Sequence, residues 1–229
     1  HRGPDDQGVW FDEQCGVGLA HARLSILDLS PAGHQPMQSV SSRYVMVFNG
    51  EIYNHQTIRN ELDDAVSINW RGHSDTETLL AAIDQWGLEV TLKKTIGMFA
   101  IALWDKQTNV LSLARDRMGE KPLYYGWVSN QFVFASELKA IKTLPDFNNE
   151  VDRSVLALYL RYSSIPAPYS IYQNIFKLEP GCIVSIRPGD KSTEKSQYWS
   201  TSSVIKSGLD SPFKGSADEA INQLETTLN

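Results

Sequence analysis

The first two-thirds of the chain is built from short apolar runs that come in pairs, each pair joined by a few polar residues. Residues 99–104 and 110–114 are two such runs, separated by Asp105-Lys106-Gln107-Thr108-Asn109. Residues 123–127 and 132–135 repeat the arrangement around Ser129-Asn130. Runs this short, bounded by turn-forming residues, predict antiparallel hairpins. A further run, residues 45–48, ends in Asn49-Gly50 and predicts a strand entering a tight turn. Helices interrupt the strands. Ser74-Asp75-Thr76-Glu77 reads as a capping box, with Ser74 accepting from the Glu77 amide while the Glu77 side chain reaches back. Leu79, Ile83 and Trp86 then share a face, and Gly87 ends the helix. Asp152 caps a second helix, with Val155, Tyr159 and Tyr162 on one face. Strand pairs broken by a few helices predict a mixed α+β domain with a layered core.

At 229 residues the chain is long enough for one domain and part of a second. Residues 200–215 are rich in Ser, Gly, Lys and Asp and predict a linker. Ser216-Ala217-Asp218-Glu219 is another capping box, followed by Ile221, Leu224 and Leu228 at helical spacing. The expected organisation is a domain over residues 1–199, a linker over 200–215, and over 216–229 the first helix of a following domain.

The net charge of −6 is spread without a Lys/Arg stripe, so nucleic acid is not an expected partner. No apolar run is long enough for a membrane span, and no membrane partner is expected. Cys15 and Cys182 share no short spacing and have no His or Cys cluster beside them, which predicts neither a metal site nor a disulfide framework. Free cysteines with no visible signal peptide predict a reducing, cytoplasmic setting. The first residue is His1, not Met.

Four segments could carry chemistry, and each also has a plain structural reading. His1-Arg2-Gly3-Pro4-Asp5 is a polar turn on Gly-Pro. Arg23 lies among apolar neighbours in Ala22-Arg23-Leu24-Ser25-Ile26, as a solvated edge charge or a buried clamp for an anion. Asn49-Gly50-Glu51 is either a turn or an oxyanion hole, in which a side-chain amide and a backbone N–H face a developing alkoxide. Asp75, in the first turn of its helix, either complements the helix dipole or holds an ammonium. Together these groups suit a free α-amino acid with an amide side chain, a conclusion that spacing alone could not establish.

His1-Arg2-Gly3-Pro4-Asp5, Arg23-Leu24-Ser25-Ile26, Phe48-Asn49-Gly50-Glu51-Ile52-Tyr53-Asn54 and Ser74-Asp75-Thr76-Glu77 resemble, in order, the motifs of class II glutamine amidotransferases. Gly97-Met98-Phe99-Ala100, the segment from Ala114-Arg115-Asp116-Arg117-Met118-Gly119-Glu120 through Lys121-Pro122-Leu123-Tyr124-Tyr125, and Ala135-Ser136-Glu137-Leu138-Lys139-Ala140 resemble the asparagine synthetase branch. The resemblance runs from His1 to about Trp199.

It implies the N-terminal-nucleophile hydrolase fold, a four-layer αββα sandwich with two antiparallel sheets. It implies hydrolysis of L-glutamine to glutamate and ammonia, with Arg23 holding the α-carboxylate, assisted by backbone around Leu24 and Ile26. Asn49 and Gly50 would form the oxyanion hole, and Glu51 and Asp75 would face the α-ammonium. No cofactor is implied for this domain. ATP and Mg would serve a synthetase domain of the same chain, which adenylates aspartate for amidation, and a homodimer is left open.

The family's nucleophile is an N-terminal Cys whose own amine acts as base. Neither Cys15 nor Cys182 is N-terminal, so residues 1–229 are expected to be inactive by themselves. Two rival readings stay open: a relative that amidates another acceptor, such as a surface-polysaccharide sugar, and a non-catalytic scaffold. Retention of Arg23, Asn49, Gly50 and Asp75 argues against the scaffold. Ser207-Gly208-Leu209-Asp210-Ser211 faintly resembles a pyrophosphate-binding loop, but it sits in polar sequence ahead of Pro212 and is rejected as one.

Overall fold

A computed structural model describes residues 3–228, so His1 and Arg2 of the first motif lie outside the described residues. The chain divides into two compact units after Tyr198. In the first, β1 (Asp6–Asp12) and β2 (Val17–Arg23) form an antiparallel hairpin. There follow β3 (Met37–Gln38), β4 (Tyr44–Ile52), α1 (His55–Ala65), α2 (Asp75–Trp86), α3 (Leu88–Lys94), β5 (Gly97–Asp105) and β6 (Val110–Arg115). Then come β7 (Tyr124–Val128), β8 (Gln131–Ala135), α4 (Leu138–Lys142), α5 (Arg153–Tyr162), β9 (Ile175–Lys177), β10 (Cys182–Ile186) and β11 (Glu194–Gln197). The main sheet has the order β11-β10-β6-β5-β4-β3 and a smaller one the order β8-β7-β9, with every pairing antiparallel.

Side-chain alternation builds the layers. Val45 and Val47 of β4 join Trp104, Leu113 and Val184 in one core, and Leu19, Tyr125, Trp127, Phe132 and Phe134 pack into it from the hairpin and the smaller sheet. The intervening Met46 and Phe48 are also buried, on the opposite face, where α2 packs on β4. On the smaller sheet, Val133 and Ala135 alternate away from Phe132 and Phe134 and meet Leu138 and Ile141 of α4. The order is helix, sheet, sheet, helix, as expected, with the second sheet layer shared by the β1–β2 hairpin and β8-β7-β9. Each fully buried aliphatic side chain contributes about 1.5–3 kcal/mol of transfer free energy.

Both expected hairpins form, with Asn109 and Ser129 at positive φ in their turns. Asn49-Gly50 is not a turn. β4 runs straight through it to Ile52, because β5 offers a partner at every position, Asn49 opposite Ala100 and Gly50 opposite Phe99. Ser74 accepts from the Glu77 amide at 3.1 Å, but the Glu77 carboxylate does not return to Ser74. It accepts from the Arg71 and Gly72 amides at 2.9 and 3.0 Å, fixing the approach to α2. Asp152 caps α5, yet Tyr159 and Tyr162 are about half exposed and only Val155 of that face is buried.

The second unit holds α6 (Thr201–Asp210) and α7 (Ala217–Leu228). The expected linker over 200–215 is therefore helical for most of its length. Ser200 caps α6 by accepting from the Ser203 amide at 3.1 Å, and the polar composition masked that start signal. Ser207-Gly208-Leu209-Asp210 lies within α6, so no phosphate-cradling loop exists there. The Ser216 box forms at the start of α7: Glu219 N donates to Ser216 Oγ at 3.3 Å, and Ser216 N donates to the Glu219 carboxylate at 2.7 Å. Among the described residues, no helix is long and apolar enough to cross a membrane.

Candidate active site

The far end of β4 is a sheet edge. β3 pairs only with Val45 and Met46, so beyond Met46 the outer side of β4 has no neighbouring strand. Phe99 directs both its N–H and its carbonyl to Asp116, away from β4. Its partner Gly50 is therefore in a non-hydrogen-bonded pair, and the Gly50 N–H and carbonyl face the open edge. The flanking positions follow the same parity and are satisfied there. Phe48 N donates to Gln35 Oε1 at 2.7 Å, and Ile52 N donates to Asp75 Oδ2 at 2.9 Å. Gly50 has no such partner among the described residues. Nor can position 50 carry a side chain, because a Cβ there would lie 2.2 Å from the Met98 carbonyl oxygen.

Asn49 alternates onto the sandwich face of β4, where its Nδ2 donates to Ser136 Oγ at 3.3 Å, a long bond that leaves the amide weakly held. Ser136 belongs to one of the quoted motifs, but nothing in the sequence tied it to Asn49. Asp75, 6% exposed, is the first residue of α2. Burial raises its carboxyl above the ordinary value, partly offset by N–H donors from Ile52 and Thr76, with His55 lowering it and Glu51 raising it. Asp75 enters no salt bridge with Lys or Arg among the described residues, and the charges of His55 and Glu51 act on it in opposite senses.

Arg23 ends β2 and is buried rather than solvated. Its guanidinium donates to the Ser30 carbonyl at 3.1 Å and, through Nη2, to the Asp28 carbonyl. It enters no close ion pair among the described residues, and the carboxylates of Asp28 and Asp6 act on its charge only from beyond salt-bridge contact. Leu24 and Ile26, in the loop that wraps it, are exposed. A closed circuit of contacts gathers the expected residues. Arg23 meets Asp28, whose carboxylate accepts from the His73 amide; His73 leads through Ser74 to Asp75, and Asp75 holds Ile52. At the other end of this stretch of β4, His21 Nε2 donates to the Phe48 carbonyl at 3.0 Å, two residues before Arg23 on β2. Burial lowers the His21 imidazole from its usual value, which keeps it neutral, with Nδ1 buried and unpaired. A buried guanidinium, a buried carboxyl and a free backbone N–H are thus linked through one circuit of contacts.

A model of the glutamine amidotransferase domain matches residues 1–199. The chain belongs to the glutamine amidotransferase domain family. Among curated amidotransferase relatives, a putative asparagine synthetase [glutamine-hydrolyzing] of Methanocaldococcus jannaschii is 36% identical over 217 residues, covering 87% of this chain and 41% of that protein. Asparagine synthetase [glutamine-hydrolyzing] 1 of Bacillus subtilis is 39% identical over 198 residues, covering 86% of this chain and 30% of that protein. The chain therefore spans less than half the length of either. In fold it is similar to glutamine phosphoribosylpyrophosphate amidotransferase of B. subtilis, with a TM-score of 0.57 at 20% identity over 80% of this chain and 35% of that one. This is the N-terminal-nucleophile hydrolase fold expected from the motifs.

Other amidotransferase motifs prove to be structural. Asp116, fully buried, accepts from the amides of Phe99, Met118, Glu120 and Lys121. Arg115 donates to the carbonyls of Lys121 and Leu178 at 2.7 and 2.6 Å and to that of Gly119. Cys15 sits in the β1–β2 turn, its amide donating to Asp12 at 3.1 Å, and its thiol is raised by desolvation and by Asp12. Cys182 is buried in β10, and burial raises its thiol too. Neither thiol has the lowered value of an activated nucleophile. A polar cleft of about 450 Å³, lined by residues including Trp127, Asn149 and Gln173, contains none of the expected site residues.

Proposed function

We propose that this chain is the glutamine-hydrolysing domain of an asparagine synthetase, acting in the cytosol and passing ammonia to a synthetase domain of the same chain. The observation that carries this reading is the Gly50 N–H, unpartnered at the β4 edge between two satisfied neighbours. A backbone donor in that state is costly unless something else accepts from it. The side-chain carbonyl of glutamine is such an acceptor, and its oxygen becomes a better one as it turns into an alkoxide.

In this reading Arg23 binds the α-carboxylate, with backbone from Leu24 and Ile26, and Glu51 with Asp75 binds the α-ammonium. The ammonium would also offset the cost of burying the Asp75 carboxylate. The amide carbon is then presented beside Asn49 and Gly50. A thiolate attacks that carbon, the tetrahedral oxygen is held by Asn49 Nδ2–H and Gly50 N–H, and ammonia leaves with a proton. Water then releases glutamate from the thioester. The thiolate is assigned to an N-terminal cysteine of the kind the family resemblance implies, since Cys15 and Cys182 are placed in a turn and in the core. ATP and Mg²⁺ would serve only the synthetase domain, and aspartate is taken as the acceptor because the relatives above are named asparagine synthetases.

Asn49→Ala in the full-length enzyme tests the oxyanion hole. Losing that donor should lower kcat for glutamine by about 10²–10³ with KM nearly unchanged. Synthesis supported by added ammonia should persist. A raised KM with intact kcat would make Asn49 a binding or packing residue instead.

A further inference from the structure

Asp28, 8% exposed, lies in the loop after β2 and was not among the residues the motifs singled out for a role. Its main-chain carbonyl accepts from the Arg23 guanidinium. Its side chain has partners of its own: Oδ1 accepts from Ser30 N at 2.8 Å and Oδ2 from His73 N at 2.9 Å. His73 is two residues before Asp75. One residue therefore touches both the cationic half and the anionic half of the proposed amino-acid site.

Each half has further anchors of its own. On the Arg23 side, Ser25 N donates to Asp5 at 2.7 Å and Arg23 donates to Ser30. On the Asp75 side, Glu77 accepts from Arg71 and Gly72, and Arg59 Nη2, whose guanidinium stacks 3.9 Å from the Trp70 ring, donates to the Gly72 carbonyl at 2.7 Å. The Oδ2–His73 bond joins the two loops directly, beside the route that runs from His21 through β4 to Asp75. The junction is also close-packed, since a Cβ at Gly72 would lie 2.5 Å from Asp28 Oδ2.

We propose that Asp28 is a positioning residue that sets the separation of Arg23 and Asp75, and so selects ligands carrying a carboxylate and an ammonium on the same carbon. This rests on the glutamine site proposed above. Removing the Asp28 side chain leaves each half anchored, and joined through β4, but loosens the spacing of the two loops. A ligand that touches both halves then loses the advantage of prearranged partners, while a ligand that touches only the Arg23 half does not.

The test uses the full-length enzyme with L-glutamine as substrate and 4-carbamoylbutanoate, glutamine without its α-amino group, as competitive inhibitor. Asp28→Ala should raise the glutamine KM by about tenfold, with kcat and the ammonia-supported reaction changing by less than about threefold. The inhibition constant of 4-carbamoylbutanoate should move by less than about twofold. Asp28→Asn, which keeps one acceptor oxygen, should fall between. Gly72→Ala, which crowds the same junction without removing a charge, should shift the two ligands in the same unequal way and serves if Asp28→Ala does not fold. Equal shifts for both ligands, or no shift, would overturn the proposal. Asp75→Asn is the control: if it leaves the glutamine KM unchanged, the amino-acid site itself is wrong, whereas a KM effect there but none at Asp28 or Gly72 removes only the positioning role.

Discussion

Asp116 and Asp75 are both buried carboxylates close to strand β5 or β4, yet their surroundings oppose each other. Asp116 receives four backbone amides and sits beside an arginine that is itself tied to three carbonyls. Asp75 receives the Ile52 and Thr76 amides, faces a second acid, and is held above the ordinary carboxyl value by burial. Closing every valence within the chain makes the first region a brace for β5, β6 and the loop over residues 116–121. In the second region burial penalises the charged form of Asp75, a cost to the fold that a cationic ligand would offset. Asp28, like Asp116, accepts from backbone amides, and hydrogen bonds from Ser30 and His73 bring the Asp28 carboxyl down to about 2. That depressed value means its stabilising contribution is present above about pH 4 and is lost as pH falls towards 2.

The largest effect that would sharpen the contrast is on stability. Asp116→Ala should strand buried amides that each cost about 1–3 kcal/mol, so the protein should lose several kcal/mol or fail to fold, read as the denaturation midpoint. A midpoint close to that of the parent would remove the distinction between brace and site. Next in size, Arg23→Ala in the full-length enzyme should raise the glutamine KM by roughly ten- to a hundredfold, with kcat changing much less, because the carboxylate contact exists in ground and transition states alike. A loss confined to kcat would place Arg23 outside substrate binding.

The sequence made the strands legible where an apolar run met a turn, as at Asn109 and Ser129. It misled at Asn49-Gly50, because a turn-prone dipeptide is a local signal and the continuous partnership of β5 is not. Polar composition hid α6, whose cap at Ser200 was readable but outvoted by its neighbours. In the site, the identities of Arg23, Asn49, Gly50, Glu51 and Asp75 came from motif resemblance. What each touches came only from the fold. Asp28, His21 and Ser136 act through contacts to distant backbone or side-chain atoms, at sequence separations that no local pattern records. The Arg115-Asp116 pair shows the converse, a motif as distinctive as the others whose two side chains bond only to backbone groups of this chain.

The most direct test of the contrast is Asp75→Asn, assayed for both thermal stability and glutamine KM in the full-length enzyme. A carboxyl whose folded value is raised binds its proton more tightly in the folded state, so it weakens the fold as pH rises above the unfolded value near 3.8. At neutral pH the neutral amide removes that cost and can still accept from Ile52 N. The expected result is a midpoint that is unchanged or higher, together with a glutamine KM raised by at least about tenfold through loss of a charged contact. For the parent enzyme, glutamine binding should weaken as pH falls through the raised value of Asp75. A lower midpoint with an unchanged KM would contradict this, making Asp75 a structural cap for β4 and α2 rather than the anionic half of a substrate site.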